Sequence, residues 1–193
     1  MNKAKIGDKV SSELIANGGL QSSIGIHSLW TTECYDAQGN LKWVEKDRPN
    51  VCTTEGINFM LDVMFHNTAA KTVWYVALFD RAAYTPAITD TYHLWADAGG
   101  NNCSEVTAYT SATRVAYVEA AASSKVTTNT ASKASFTMND TKTIQGAALV
   151  SLNTKSDHTA GDYLFSVSKF AVARDVIDTD VLRVTISITG ADI

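Results

Sequence analysis

Four kinds of side chain in this sequence are of the types that carry chemistry: histidines, carboxylates, cysteines and loop aromatics. His27, His66, His93 and His158 stand singly, without the HxH or HxxxH spacing that brings two imidazoles to one metal. Ser156-Asp157-His158 names the residue types of a hydrolase triad, but adjacent residues do not form one, and no GxSxG elbow is present. Asp178-Thr179-Asp180 offers two carboxylates without calcium-loop spacing and reads as a turn. Glu33, Glu45, Glu105 and Glu119 fall in segments that read as strands or their ends. A pair of them brought together across neighbouring strands would have the composition of a glycosidase site, though nothing in their spacing demands it. Cys34, Cys52 and Cys103 are odd in number and lack a CxxC spacing, which points to buried thiols rather than a disulfide framework. No glycine-rich phosphate loop occurs. The expectation is a chain with no catalytic residues, no metal and no cofactor. Tyr92 and Trp95, in a polar stretch at 90–102, are the candidate exposed aromatics for stacking on a sugar.

The elements that would position such groups are mostly strands. Residues 27–50 form a hairpin pattern, in which runs carrying Trp30, Tyr35, Leu41, Trp43 and Val44 flank the turn residues Asp36-Ala37-Gln38-Gly39-Asn40. Residues 104–110 and 114–120 read as the next strand pair, followed by 134–140 and 143–153, where Gly146 marks a bulge or a close approach. Between 162 and 176 the apolar parity changes from Phe165 and Val167 to Phe170 and Val172, as one extra residue in a bulge would cause. In 181–190, Leu182, Val184, Ile186 and Ile188 alternate with Arg183, Thr185, Ser187 and Thr189. Short strands at regular spacing predict a mainly β fold. It is an antiparallel β-sandwich or jelly-roll-like barrel, with one short α-helix at about 54–66 packed on it and an N-terminal arm. Residues 1–24 form the arm, where Val10 and Leu14 share one side of a short helical pattern with Ile15 beside them. Residues 25–193 form a single β-sandwich domain.

The helix is more apolar than one sheet contact requires. At about 100° per residue, Ile57, Met60, Leu61, Met64 and Phe65 form a stripe. Phe59 and Val63 lie on its flank and widen the apolar arc to roughly 240°. The stripe is expected to face the core, leaving Phe59 and Val63 either for the chain's own interior or for an interface with another chain. Val10, Leu14 and Ile15 of the arm complete the candidate interface. The strand at 73–80 lacks alternation, so both its faces are expected to be buried, one in the sandwich and one under this helix.

Composition narrows the partners. The 193 residues are 45% hydrophobic and 19% charged, enough for a core and too uncharged for a disordered chain. A net charge of −4 gives no basic surface for nucleic acid or an anionic membrane. No run approaches the length needed to span a bilayer, and the N-terminus lacks the apolar core of a signal peptide, so synthesis in a cytosol is expected.

The chain resembles a group of tailed-bacteriophage virion proteins. The likeness rests on Asn50, Gly56, Asn58, Leu61, Asp62, Trp74, Tyr75, Leu78, Asp90, Thr91, Glu105, Tyr109 and Arg114, with further similarity downstream to about residue 189. Ala77 stands where that pattern has Gly and Met60 where it has Leu, and the arm at 1–24 lies outside it. The resemblance implies a virion component made in the host bacterial cytoplasm, foremost a capsid decoration or cement protein. Its partners would be the major capsid protein, further copies of itself, or both. A tail- or head-fibre-associated module binding a host glycan is the alternative. The resemblance transfers no catalytic residues.

Overall fold

Alternation in the last strand sets the frame: Leu182, Val184 and Ile186 are fully buried while Arg183 between them is exposed. A computed structural model of the protein describes residues 24–96, 103–157 and 161–192. Along the chain come β1 (Ile24–Tyr35), β2 (Leu41–Pro49), β3 (Val51–Cys52), α1 (Thr54–Phe65), β4 (Trp74–Phe79), α2 (Tyr92–Ala96) and β5 (Glu105–Val106). There follow β6 (Val115–Tyr117), β7 (Val126–Thr128), β8 (Ala134–Thr137), β9 (Lys142–Val150), β10 (Leu164–Val176) and β11 (Val181–Asp192). The fold is mainly β, with two antiparallel sheets packed face to face and short helices added, a sandwich rather than a closed barrel.

The first sheet runs β2-β1-β11-β7, with β8 also on β11; the second runs β3-β10-β9-β4-β5, with β6 also on β4. The β1–β2 hairpin forms as its turn residues predict, because Asp36 Oδ1 accepts from the backbone N–H groups of Gln38 and Asn40 at 2.9 and 2.8 Å. β1 begins at Ile24, pairing with Asp192, so the last residue assigned to the arm already belongs to the sheet. β5 and β6 do not pair with each other as the sequence suggests; both pair with β4, at different points along it. The parity change in β10 is larger than one residue. Lys169 faces Gly146 and Arg174 faces Ile144, so residues 170–173 bulge opposite Gln145 alone. A second shift, between Leu164 and Ser166, sends Phe165 inward and Val167 outward, against the shared face expected from their spacing. Gly146 is a close approach, since a Cβ there would lie 2.2 Å from the Ser168 carbonyl oxygen.

Two apolar clusters result. The one between the sheets gathers Trp30, Val76, Leu78, Phe136, Leu149, Val184 and Ile186. The other lies on the outer face of the second sheet, where Ala77, Phe79, Ala148 and Val150 meet Tyr84, Tyr92, Trp95 and Cys103. β4 is therefore buried on both faces, as its unbroken apolar run requires. Its outer face, however, is covered by the segment containing α2 and not by α1. Tyr92 and Trp95 are 0% exposed, so their assignment as exposed aromatics is corrected. The two-faced strand needed a cover, and these rings supply it.

Candidate interaction face

Each carboxylate that was a candidate for catalysis is held by a cation or lies apart from its fellows. Glu33 accepts from Lys133 Nζ at 2.7 Å. Glu45 is buried and takes Arg174 Nε at 2.7 Å. Glu45 lies opposite Thr32, which is buried, whereas Glu33 is the next residue along and points to the other face of the sheet. Glu105 and Arg114 make a two-bond pair, Nε to Oε1 at 2.8 Å and Nη2 to Oε2 at 2.7 Å. Burial works against the Arg114 charge, but the Glu105 carboxylate outweighs it and holds the guanidinium above its ordinary range. Glu119, in the loop after β6, is exposed.

The remaining chemical candidates are structural. Asp180 is buried, accepts from Lys42 Nζ at 2.5 Å and from the Ile177 N–H at 2.9 Å, and so ties the turn at 178–180. The Ser156 N–H donates to Glu105 Oε2 at 2.8 Å, and His158 lies outside the described residues. Cys34 and Cys103 are buried and Cys52 is half-buried; burial pushes the Cys34 thiol up to about 12, so it is protonated at neutral pH. His27, His66 and His93 are far apart in the chain and exposed, and among the described residues no cluster of His, Cys, Asp or Glu could hold a metal ion. No helix among the described residues is long and apolar enough to cross a membrane.

The cover over the second sheet is fastened by a polar network. Arg114 Nη1 donates to Tyr92 Oη and to the Leu152 carbonyl, both at 2.9 Å. Tyr92 Oη in turn donates to the Asp157 carbonyl at 2.7 Å. Tyr84 Oη donates to Asp90 at 2.5 Å, and the same carboxylate takes the Ala87 N–H. Glu55 Oε2, in the first turn of α1, accepts from the Tyr92 and Leu164 N–H groups at 2.8 and 2.7 Å, which joins α1, α2 and β10. Burial raises its pKa and these two bonds oppose that rise.

α1 closes one end of the sandwich. Thr53 caps it, its hydroxyl oxygen accepting from the Gly56 N–H at 3.0 Å while its own O–H is held by the Leu164 carbonyl. Gly56 then rests on the β10 backbone so closely that a Cβ would lie 2.5 Å from Phe165 Cα. The helix can approach only along that line, and this fixes its rotation. Phe59 and Met60, on either side of Gly56 around the helix, turn inward. Phe59 stacks on Tyr163 at 4.1 Å and meets Trp74 edge-on at 5.9 Å.

That rotation inverts the expected division of the apolar arc. Phe59 is 6% exposed, so its place in an intermolecular interface is corrected: its partners are Tyr163 and Trp74 of the same chain. Val63 is half-buried and lines a groove. The leftover side is Leu61, Met64 and Phe65, which are 43%, 66% and 77% exposed although they belong to the stripe expected to face the core. The available signal was Gly56, the one residue in the helix whose missing side chain permits backbone contact. Beside this ridge lies an apolar groove of about 220 Å3, bounded by Phe59, Val63 and Met64 on one side and by Trp74, Tyr117 and Ile188 on the other. Val10, Leu14 and Ile15 lie outside the described residues.

No protein-family model matches this chain, and no curated protein sequence is similar to it. Four further residues have defined structural work. Gly56 seats α1, Trp74 meets Phe59, Asp90 holds Tyr84, and Glu105 pairs with Arg114.

Proposed function

We propose that the chain is a structural binding protein of a tailed-phage virion, a capsid decoration or cement protein that docks on the outer shell and stabilises it. The observation that carries an interaction role is the bare ridge Leu61-Met64-Phe65 beside the apolar groove, on a domain whose candidate carboxylates are engaged in ion pairs or stand apart. Large side chains left in water on one face of a short helix are the usual mark of a partner surface. The virion setting rests on the resemblance in the sequence, and with it the major capsid protein and neighbouring copies of the chain as partners. A protein that binds the assembled shell and not its free subunits stabilises the shell by mass action. The host-glycan reading keeps no specific support, because Tyr92 and Trp95, its proposed contacts, are enclosed under the second sheet.

The test is co-sedimentation of the purified chain with expanded capsids. Saturation at hundreds of copies per particle, lost on the double change Leu61→Ser and Phe65→Ser, is the expected result. A handful of copies would move the protein to the tail, and no co-sedimentation at all would sink the proposal.

A further inference from the structure

We infer that α1 is a self-pairing face: two copies of the chain meet about a twofold axis at Met64, and Phe65 of each copy seats in the groove of the other.

Two shapes stand side by side on one helix. Leu61, Met64 and Phe65 project from α1 as the exposed ridge, and the groove opens on its Met64 side, so Met64 belongs to both. A surface that carries a projection beside a matching recess is complementary to itself under a twofold rotation. Such a rotation makes both contacts at once and closes the pair. The recess is large enough for the projection. An apolar cavity of about 150 Å3 takes up benzene, and this groove, at about 220 Å3, has room for a phenyl ring with a thioether beside it. Its walls suit that guest. Trp74, Tyr117 and Phe165 offer aromatic surface, Met60 and Met64 adaptable thioethers, and Ile188 of the first sheet closes the far side.

Charge and area point the same way. Among the described residues of the groove wall only Lys71 is charged, and Asp162 already neutralises it at 2.9 Å, so pairing buries no unpaired charge there. At its measured exposures the ridge leaves on the order of 400 Å2 of apolar surface in water, within the range of the largest patch on a monomer. With both ridges and both groove walls covered, a twofold pair hides roughly 1,000 Å2, the lower bound for a specific interface. A contact of that size is weak in free solution. It gains strength where many copies are held on one surface, because neighbours then meet at a raised effective concentration. The inference names the partner of the α1 surface and rests on the reading of that surface as a contact face; on a shell, the ridge's partner is the neighbouring copy.

Sedimentation equilibrium of the full-length chain, from about 10 µM to about 1 mM, tests it. The weight-average mass is expected to climb from 20.8 kDa toward twice that value, with a midpoint on the order of 100 µM. Phe65→Ser, which removes the ring, and Ala70→Trp, which fills the groove from an exposed position, are each expected to weaken pairing about ten-fold or more. Mixed together, these two variants regain one ring-in-groove contact, so each is expected to pair with the other more tightly than with itself. Val172→Ser, at an exposed apolar residue of the β10 bulge, is expected to leave pairing unchanged. A mass that stays at 20.8 kDa across the range overturns the inference. Pairing that survives Phe65→Ser overturns it too, as does a mass that climbs past two chains, since a head-to-tail contact does not close. Pairing in solution without co-sedimentation on capsids would uphold this interface and sink the virion reading. Co-sedimentation without pairing would overturn the interface and leave that reading standing.

Discussion

Two helices among the described residues cover this sandwich, and they are finished to different degrees. α2 lies on the outer face of the second sheet with its two large aromatics at 0% exposure, and buried polar bonds from Arg114, Glu105 and Glu55 fasten it. α1 closes one end of the sandwich by a glycine contact, a Thr cap and a single inward aromatic, and it leaves three large apolar side chains in water. The α2 cover encloses both of its large aromatics within the chain, although the buried Trp95 Nε1 has no hydrogen-bond partner and Leu94 is 47% exposed. The α1 cover instead leaves Leu61, Met64 and Phe65 in water. That difference is what supports the proposed interaction role of α1, and among the described residues no cluster of His, Cys, Asp or Glu could hold a metal ion.

The sharpest way to break the contrast is to remove the anchors of α2. Trp95→Ala empties the space under the loop and is expected to destabilise the fold by about 3–5 kcal/mol. Arg114→Ala leaves Glu105 buried without its partner, and a loss of about 3–5 kcal/mol is expected for that as well. Urea denaturation followed by circular dichroism measures both. A loss below 1 kcal/mol in either case, on the scale of an ordinary surface change, would mean that this cover is not the fastened one.

Next in size is the contact that seats α1. Gly56→Ala places a methyl group against the Phe165 backbone, where no flexible side-chain end can yield. Overpacking of this kind costs about 1–3 kcal/mol. Because the glycine also sets the rotation of the helix, the variant is expected to change the near-ultraviolet signal of Trp74 and Tyr163 more than the far-ultraviolet signal of the sheets. Equal stability and unchanged aromatic signals would refute the glycine's role.

That glycine also marks where the sequence was legible and where it was not. The hairpin at 27–50, the alternation of β11, the position of α1 and the double burial of β4 follow from periodicity and turn residues, which are local. The covering of β4 was not legible in that way. The apolar α1 was the expected cover, because the polar residues around Tyr92 and Trp95 read as a loop in solvent. Asp90 and Glu55 bond to groups distant in sequence or buried by the fold, so their polarity marks fastening and not exposure. Around α1, the arc of roughly 240° was visible, but the direction facing the core depends on one backbone approach that hydrophobicity alone does not weigh.

Glu55 links the two covers and yields a smaller, pH-dependent effect. Its folded-state pKa is raised above the ordinary value of 4.5, first by burial, with the Leu164 and Tyr92 N–H groups opposing the rise. A carboxyl whose pKa is raised on folding adds stability that is fully present below its unfolded value and fades as pH climbs through the folded one. Asp36 and Asp140 are shifted downward by their hydrogen bonds and act in the opposite sense, so the total curve conceals the Glu55 contribution. The difference between the parent chain and Glu55→Gln isolates it. That difference is expected to favour the parent most below pH 4.5 and to shrink as pH rises above that value; a difference that grows with pH would show the hydrogen bonds outweighing burial.

The smallest expected change in stability belongs to the most exposed aromatic. Phe65→Ala removes a ring that is 77% in water, so the urea midpoint should move by no more than the equivalent of about 0.5 kcal/mol. Set beside Trp95→Ala, this is the same truncation of an aromatic on the other helix, and the ratio of the two losses measures how differently the covers are finished. A loss above 2 kcal/mol for Phe65→Ala would mean that the ring is packed in the free chain, and the ridge would then be core and not contact surface. With stability unchanged, the ring's value must appear elsewhere: the variant should bind less of a hydrophobic dye and occupy fewer sites on expanded capsids. Stability retained with occupancy lost is the pattern expected of a side chain kept for a partner.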